Sequence, residues 1–530
     1  MATTKDQAVE MATAGCGSSG HDESLAAPDV VYKSTHADAQ NMIRMGRKQE
    51  LVRHYRLFSM VSFVAIATSA WELTLFQITP ALVDGGIPSL VWSNIWNFIG
   101  FTPVILSMAE MSSMAPIAGA QYHWVSEFAP ERYQKFLSYL TGWISALAWQ
   151  AGNATGLFLL GTLVQSIILI NDETYAFDNW HATLMAIFIV ILTVLINIYG
   201  AHILPYTQNA LFAIAIIAYM GFFVPVWVNA PAASSTAVWS DWQNNGGWPS
   251  LGLAVLIGQL PAIAAQTGID TAAHMSEEVR NASSSVPKVM VIIFIVNFAQ
   301  TFLTVITLAY HLPDVPVALE DTTTYPALYV IKQSMSTAWV TVLLVVICAL
   351  LWVGNVSYLA AVSRDLFAFA RDQGLPFSKW LATVDQKKKV PTNAYIFGGV
   401  FSSLLSLIYI GSPVAFYAIT SLCVVALIGC YVISISCVLW RRIYYPETLP
   451  HAQWSLGKWG IPINTAAVIY GTWGFFWSFW PQESPVTASG FNWSSPIFVL
   501  TLAISIIYYF AIGRKQYKGP VALVEGRKAL

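Results

Sequence analysis

Charge is what this sequence has least of. Only 10% of its 530 residues are Asp, Glu, Lys or Arg, while 56% are hydrophobic; a soluble globular chain carries about 25% charge. That balance excludes a soluble fold, because no soluble core of this length needs so much apolar surface. Cysteine is scarce too, five in all, which argues against a disulfide framework. Three of them, Cys423, Cys430 and Cys437, recur every seven residues and share one helix face, where small residues suit helix–helix contact. The nine His are scattered, with no His-Glu-x-x-His and no clustered ligand set, so neither a metal site nor a membrane-embedded metalloenzyme is expected. No Gly-x-x-x-x-Gly-Lys-Ser/Thr loop is present, so ATP is not the expected energy source. No cofactor is expected, and no repeated pore ring argues for a channel. The net charge of −2 implies no nucleic-acid partner, because the charges are segregated along the chain.

What the sequence does have is long apolar runs. Runs of about 20 residues, enough to cross a hydrocarbon core of about 30 Å, lie near 58–79, 90–112, 136–169, 181–199, 207–229, 249–274, 289–310, 335–360, 393–411, 413–440, 461–480 and 495–513. An all-α membrane protein of about twelve spans is expected, with the lipid bilayer as its solvent. Once these spans are drawn, 25 of the 26 Lys and Arg fall on one side, leaving only Lys332 opposite. By the positive-inside rule that side is cytoplasmic, and an even span count puts both termini there. The domain reading is a polar tail at 1–57, a membrane domain at 58–513 and a short tail at 514–530. Residues 1 to about 40 read as disordered, and the basic stretch 42–57 as a short helix lying on the inner leaflet. With no cleavable signal in the polar tail, the first span is expected to direct insertion.

Two spans are unusual. Span one reads AIATSAWE at 65–72 and span six reads AIAAQTGID at 262–270. Each carries Ala-Ile-Ala, then small and polar residues, then a carboxylate: Glu72 in one, Asp270 in the other. Carboxylates at membrane depth cost at least about 2.5 kcal/mol on insertion scales and mark pathways. Interrupted helices at matching places in two halves point to an inverted-repeat transporter.

Three longer motifs follow in order. SMAEMSSMAPIAGAQYHWVSEFAPERY (107–133) follows span two, GIDTAAHMSEEVRNASSSVPK (268–288) closes span six, and SRDLFAFARDQGLPFSKW (363–380) closes span eight, with VPTNA at 390–394. Together they resemble the amino acid–polyamine–organocation superfamily, and within it the fungal amino acid/choline permeases, over residues 50 to 515. The resemblance implies a five-plus-five inverted repeat with two added C-terminal helices. It also implies a substrate site at the unwound centres of spans one and six. That places the breaks at Thr68-Ser69-Ala70 and at Gln266-Thr267-Gly268. Where a helix unwinds, freed N–H groups favour a carboxylate and freed carbonyls an ammonium. Gly268 supplies backbone freedom. The superfamily usually has glycines at the first break, and here Ser69 stands instead.

Aromatic faces attract cations. Trp71 beside the first break and Trp149 on span three are therefore expected at the site, with Trp352 and Tyr358 on span eight as weaker candidates. Asp270 is expected to hold a cationic group, with Glu72 as an alternative or as a proton carrier. Gln150, Asn153 and Asn355 are polar at mid-span, serving as ligands or as interhelical glue. Arg364 paired with Glu110, Glu277 or Glu278 would form an inner gate. The expected function is secondary transport of a small amino or quaternary-ammonium solute, such as an amino acid, GABA or choline, in the plasma membrane. Coupling to a proton or to sodium stays open, since span five has no Lys. A dedicated carrier of a nitrogenous specialised metabolite, or a non-transporting nutrient receptor, are the alternatives.

Overall fold

The computed structural model describes residues 33–524 apart from 201–202, 313, 322, 324, 386, 389, 412–414 and 489. The expectation of disorder before residue 33 lies outside the described residues, as do residues 525–530. The chain is all-α: among the described residues ten helices are long and apolar enough to cross a membrane. The other two spans complete the expected twelve. Span eleven is the helix Gly460–Trp477, and span six is assembled from shorter pieces. The only strand pairing among the described residues is a two-residue ladder, Asp84–Gly85 against Gln243–Asn244.

The helices pack by halves. Span two (Gly86–Met114) packs on span seven (Ala282–His311), span three (Gln134–Asn171) on span eight (Thr337–Arg371), and span four (Asn179–Tyr199) on span nine (Thr392–Ser406). Three helices of the first half thus meet their counterparts in the second, in keeping with an inverted repeat. Span ten (Ala415–Tyr444) closes the bundle against spans three and eleven.

The segment before span one departs from the sequence reading. Its helix is His36–Arg44, upstream of the stretch expected to lie on the leaflet, and begins with a capping box between Thr35 and Asp38. Residues 45–56 run without helix under the bundle. The reason is that their side chains have better partners in the protein than in lipid headgroups. Arg53 is 1% exposed and donates to the carbonyls of Ser276 (2.8 Å) and Val279 (2.6 Å). Tyr55 exchanges backbone hydrogen bonds with Glu278 and Arg280. Asp38 accepts the N–H groups of Asn281 (2.9 Å) and Ala282 (3.0 Å), placing a carboxylate on the N-terminus of span seven. The far tail docks there as well. Gly46, at φ +63°, lies so close to Leu523 that a Cβ would overlap the Leu523 carbonyl. Val521 N–H donates to Ser126 Oγ, and Tyr517 is buried among Tyr139 and Phe369.

Candidate solute site

Span one is interrupted by a single residue. Leu57–Thr68 ends and Ala70–Phe76 begins at Ser69, which sits in the left-handed region at φ 42°, ψ 47°. A non-glycine residue there needs local support. Ser69 Oγ gives it by donating to the Ile66 carbonyl at 2.8 Å. Thr68 Oγ1 bonds back to Val64 O and accepts from Asn297 Nδ2 (3.1 Å) on span seven. The first N–H groups of Ala70–Phe76 have no carbonyl one turn behind them.

Span six unwinds further. Helices Leu251–Gly258 and Leu260–Ala264 give way to non-helical backbone, and helix resumes only at Thr271–His274. Gly268 carries φ +80°, with open space where a Cβ would stand.

A cavity lies between the two breaks. Thr68, Ser69, Ala70, Thr267, Gly268 and Asn355 line it, so six of the expected site residues come together. It extends along Leu73, Thr74 and Gln77 of span one and Ser93 and Asn94 of span two, away from the N-terminal segment. Among the described residues its wall includes hydroxyls and amides but no Asp, Glu, Lys or Arg, and Tyr358 is its one aromatic.

The other expected residues lie elsewhere. Trp71 is 1% exposed and packs on Tyr219 (5.2 Å between ring centroids) and Phe222 of span five. Glu72 is buried outside the lining. Gln150 and Gln266 are buried without lining the cavity, and Asn153 donates to Ser402 Oγ at 2.7 Å, joining spans three and nine. Trp352 points at Thr193 of span four. Asp270 is fully buried and engaged: Gln121 donates to one oxygen and Tyr431 to the other, each at 2.6 Å. Neutral donors from distant segments thus hold this carboxylate. Trp149 stands below the cavity, between Tyr358 (5.0 Å) and His274 (4.7 Å).

Sequence reasoning missed Ser93, Asn94, Thr155, Thr420 and Cys423 in the lining, and Gly354 behind the break. The polar residues Ser93 and Asn94 inside an apolar span were a usable signal; Cys423 had been read only as a packing residue.

On the side of the N-terminal segment lie several buried ion pairs. Arg364 Nε meets Glu278 at 2.7 Å and its guanidinium also bonds Tyr395. Arg371 meets Glu277 at 3.1 Å, and Arg47 pairs with Asp372. Burial alone would raise the Glu277 carboxyl, but Arg371, the Ala118 N–H and Arg47 together outweigh it and hold the acid below its ordinary range. Glu110 is paired with Arg442 rather than with Arg364. Glu127, in the loop after span two, is lifted by burial and lowered more strongly by His123 and Arg44, to about 2. Asn492-Trp493-Ser494 spells an Asn-x-Ser glycosylation sequence, but the Asn492 amide is buried against Ser421 and the Trp480 carbonyl.

Residues 58–504 match the family model described as amino acid permease. The chain belongs to the amino acid permease family. The permease is accordingly an integral multi-pass membrane protein and a transporter. It is 27% identical over 440 residues to a putative amino acid/polyamine transporter of Macrophomina phaseolina, covering 82% of this chain and 97% of that one. It is 24% identical over 520 residues to amino-acid permease 2 of Neurospora crassa (97% and 94%). It is 23% identical over 502 residues to the choline transporter of Saccharomyces cerevisiae (94% and 88%).

Proposed function

We propose that this permease is a secondary carrier that binds a small amino solute at the cavity between the two helix breaks and releases it by alternating access. The observation that carries this reading is the cavity itself, bounded by interrupted helices and lined by Thr68, Ser69, Ala70, Thr267, Gly268 and Asn355. Among the relatives, one is named for amino acids and polyamines, one for amino acids and one for choline. The wall chemistry favours the amino acids. A dication in a cavity without a carboxylate would be left uncompensated, and a quaternary ammonium favours several aromatic faces where this wall has Tyr358 alone. A net-neutral zwitterion is matched by hydroxyls, amides and unwound backbone. The ion pair Arg364–Glu278 acts as the inner gate, and both termini face the cytoplasm of a plasma-membrane protein.

Uptake into a transport-deficient yeast strain tests this with a panel of neutral amino acids, GABA, choline and polyamines. Saturable uptake of a neutral amino acid, competed weakly by polyamines, is expected. Uptake of polyamines alone would refute the zwitterion assignment, and export of a preloaded solute without uptake would reverse the direction. Epitope tags at each end should be protected in intact cells.

A further inference from the structure

Directly beneath the cavity floor lies a set of titratable groups that solute binding does not use. His274 is fully buried on the short helix that ends span six. Its Nδ1 lies 2.8 Å from the Ala118 carbonyl, which can only accept, so Nδ1 carries a hydrogen. Asp365 Oδ1 of span eight is 3.5 Å from the same nitrogen and takes a hydrogen bond from Ser145 of span three (2.9 Å). The other ring nitrogen, Nε2, has no hydrogen-bond partner among the described residues and faces Asp270 Oδ2 at 3.7 Å. Both carboxylates are fully buried.

We infer that Asp270, His274 and Asp365 form the binding site for a coupled proton, loaded at His274 Nε2 and shared with Asp270. Two ionised carboxylates beside a neutral imidazole hold a charge of −2 at membrane depth, and one added proton reduces it to −1. Like charges in a dry site favour taking up that proton. The titratable groups around the imidazole and the two carboxylates are Asp270 on its own segment, Asp365 and Tyr358 on span eight, and Tyr431, Cys423 and Cys430 on span ten. Span three contributes Ser145 and Trp149, and the loop after span two contributes Gln121 and the Ala118 carbonyl. Arg364, next to Asp365 in the chain, turns instead to Glu278 and Tyr395.

The site is wired to the cavity by contact. Tyr431 donates to Asp270 and accepts from the Gly268 N–H at 3.4 Å, in the span-six break. Tyr358, in the cavity wall, packs at a tilt on Trp149, whose ring meets His274. Protonation of Asp270 changes what Tyr431 can donate to, and so bears on the backbone beside the solute. The proton enters with the solute and leaves when the inner side opens.

The inference rests on the transport reading, and two measurements separate them. In the first, the purified full chain is titrated and its carboxylic-acid infrared bands are followed. A titrating band in wild type that is lost in Asp270→Asn and displaced in His274→Gln is expected; bands identical in all three overturn the site. The second uses proteoliposomes with an internal pH dye and a neutral amino acid carried by wild type. An inward gradient of one pH unit drives about tenfold accumulation per coupled proton. His274→Gln should lose that accumulation and the solute-evoked proton signal, with solute-for-solute exchange falling far less. Accumulation equal to wild type in His274→Gln overturns the proposal. If that variant fails to reach the membrane, Asp365→Asn is read by the same two measurements with the same criteria. A wild type that shows the titrating band but carries none of the panel fails the transport reading and overturns the coupling role with it.

Discussion

Ser69 keeps its left-handed turn because residue 354 is glycine. A Cβ on Gly354 of span eight would collide with Ser69 Oγ and stand 2.6 Å from the Ile66 carbonyl oxygen, the two groups that brace the turn. The break in span one is therefore a property of two helices.

Gly354→Ala should disable transport by pushing that turn away from span eight. Overpacking of this kind costs about 1–3 kcal/mol, and the displaced atoms line the cavity. Uptake rate at matched surface expression should fall by at least about tenfold, since 1.4 kcal/mol is one decade. Wild-type rates would show that the helices adjust freely.

Gly268 poses the opposite problem. A Cβ there meets nothing, so the obstacle is φ +80° rather than space. Left-handed backbone costs most L-residues about 1–2 kcal/mol, and Asn less. Gly268→Asn should therefore retain more uptake than Gly268→Ala, although Asn is the larger side chain. The reverse order would mean that cavity volume decides.

Arg364→Gln should loosen the inner closure. Removing one partner of a buried ion pair costs about 3–5 kcal/mol because the other charge stays behind, and Glu278 would be that charge. Cys423, in the cavity wall, supplies the readout. In a background with the other four cysteines replaced, a cytosolic thiol reagent should label it faster in Arg364→Gln than in the parent. Equal labelling rates would remove the gating role.

Asp84 opens a pH window on stability. It lies between spans one and two, and burial, then the nearby Glu483, push its carboxyl from 3.8 up to about 8. Between those two values the unfolded chain has lost this proton while the folded protein keeps it, so stability falls as pH rises across the window. Asp84→Asn removes the effect. Its gain in thermal midpoint over wild type should be near zero at the acidic end and grow toward pH 8. A gain independent of pH would contradict the assignment.

The spans and their number were legible because crossing a membrane leaves a long apolar record. The breaks were legible from small and polar residues at matching places. The facing of side chains was not. Trp71 stands two residues beyond Ser69, and two helical steps turn it by about 200°, onto Tyr219 and Phe222. Asp270 could not be read alone, since Gln121 and Tyr431 reach it from remote parts of the chain. The basic tail was read as a lipid contact because composition does not tell a headgroup from the Ser276 and Val279 carbonyls that Arg53 finds.

The contact between Gly46 and Leu523 has a bearing on biosynthesis. The two residues lie near opposite ends of the described chain. At about 5–20 residues per second, a ribosome needs roughly half a minute or more to travel from one to the other. Throughout that interval the early segment has its Asp38 and Arg53 ready, yet their partners near span seven arrive only midway, and Leu523 arrives later still. The seating of the segment before span one is thus finished only after Leu523 has been made: a nascent chain halted before it presents an unfinished surface on this face of the bundle.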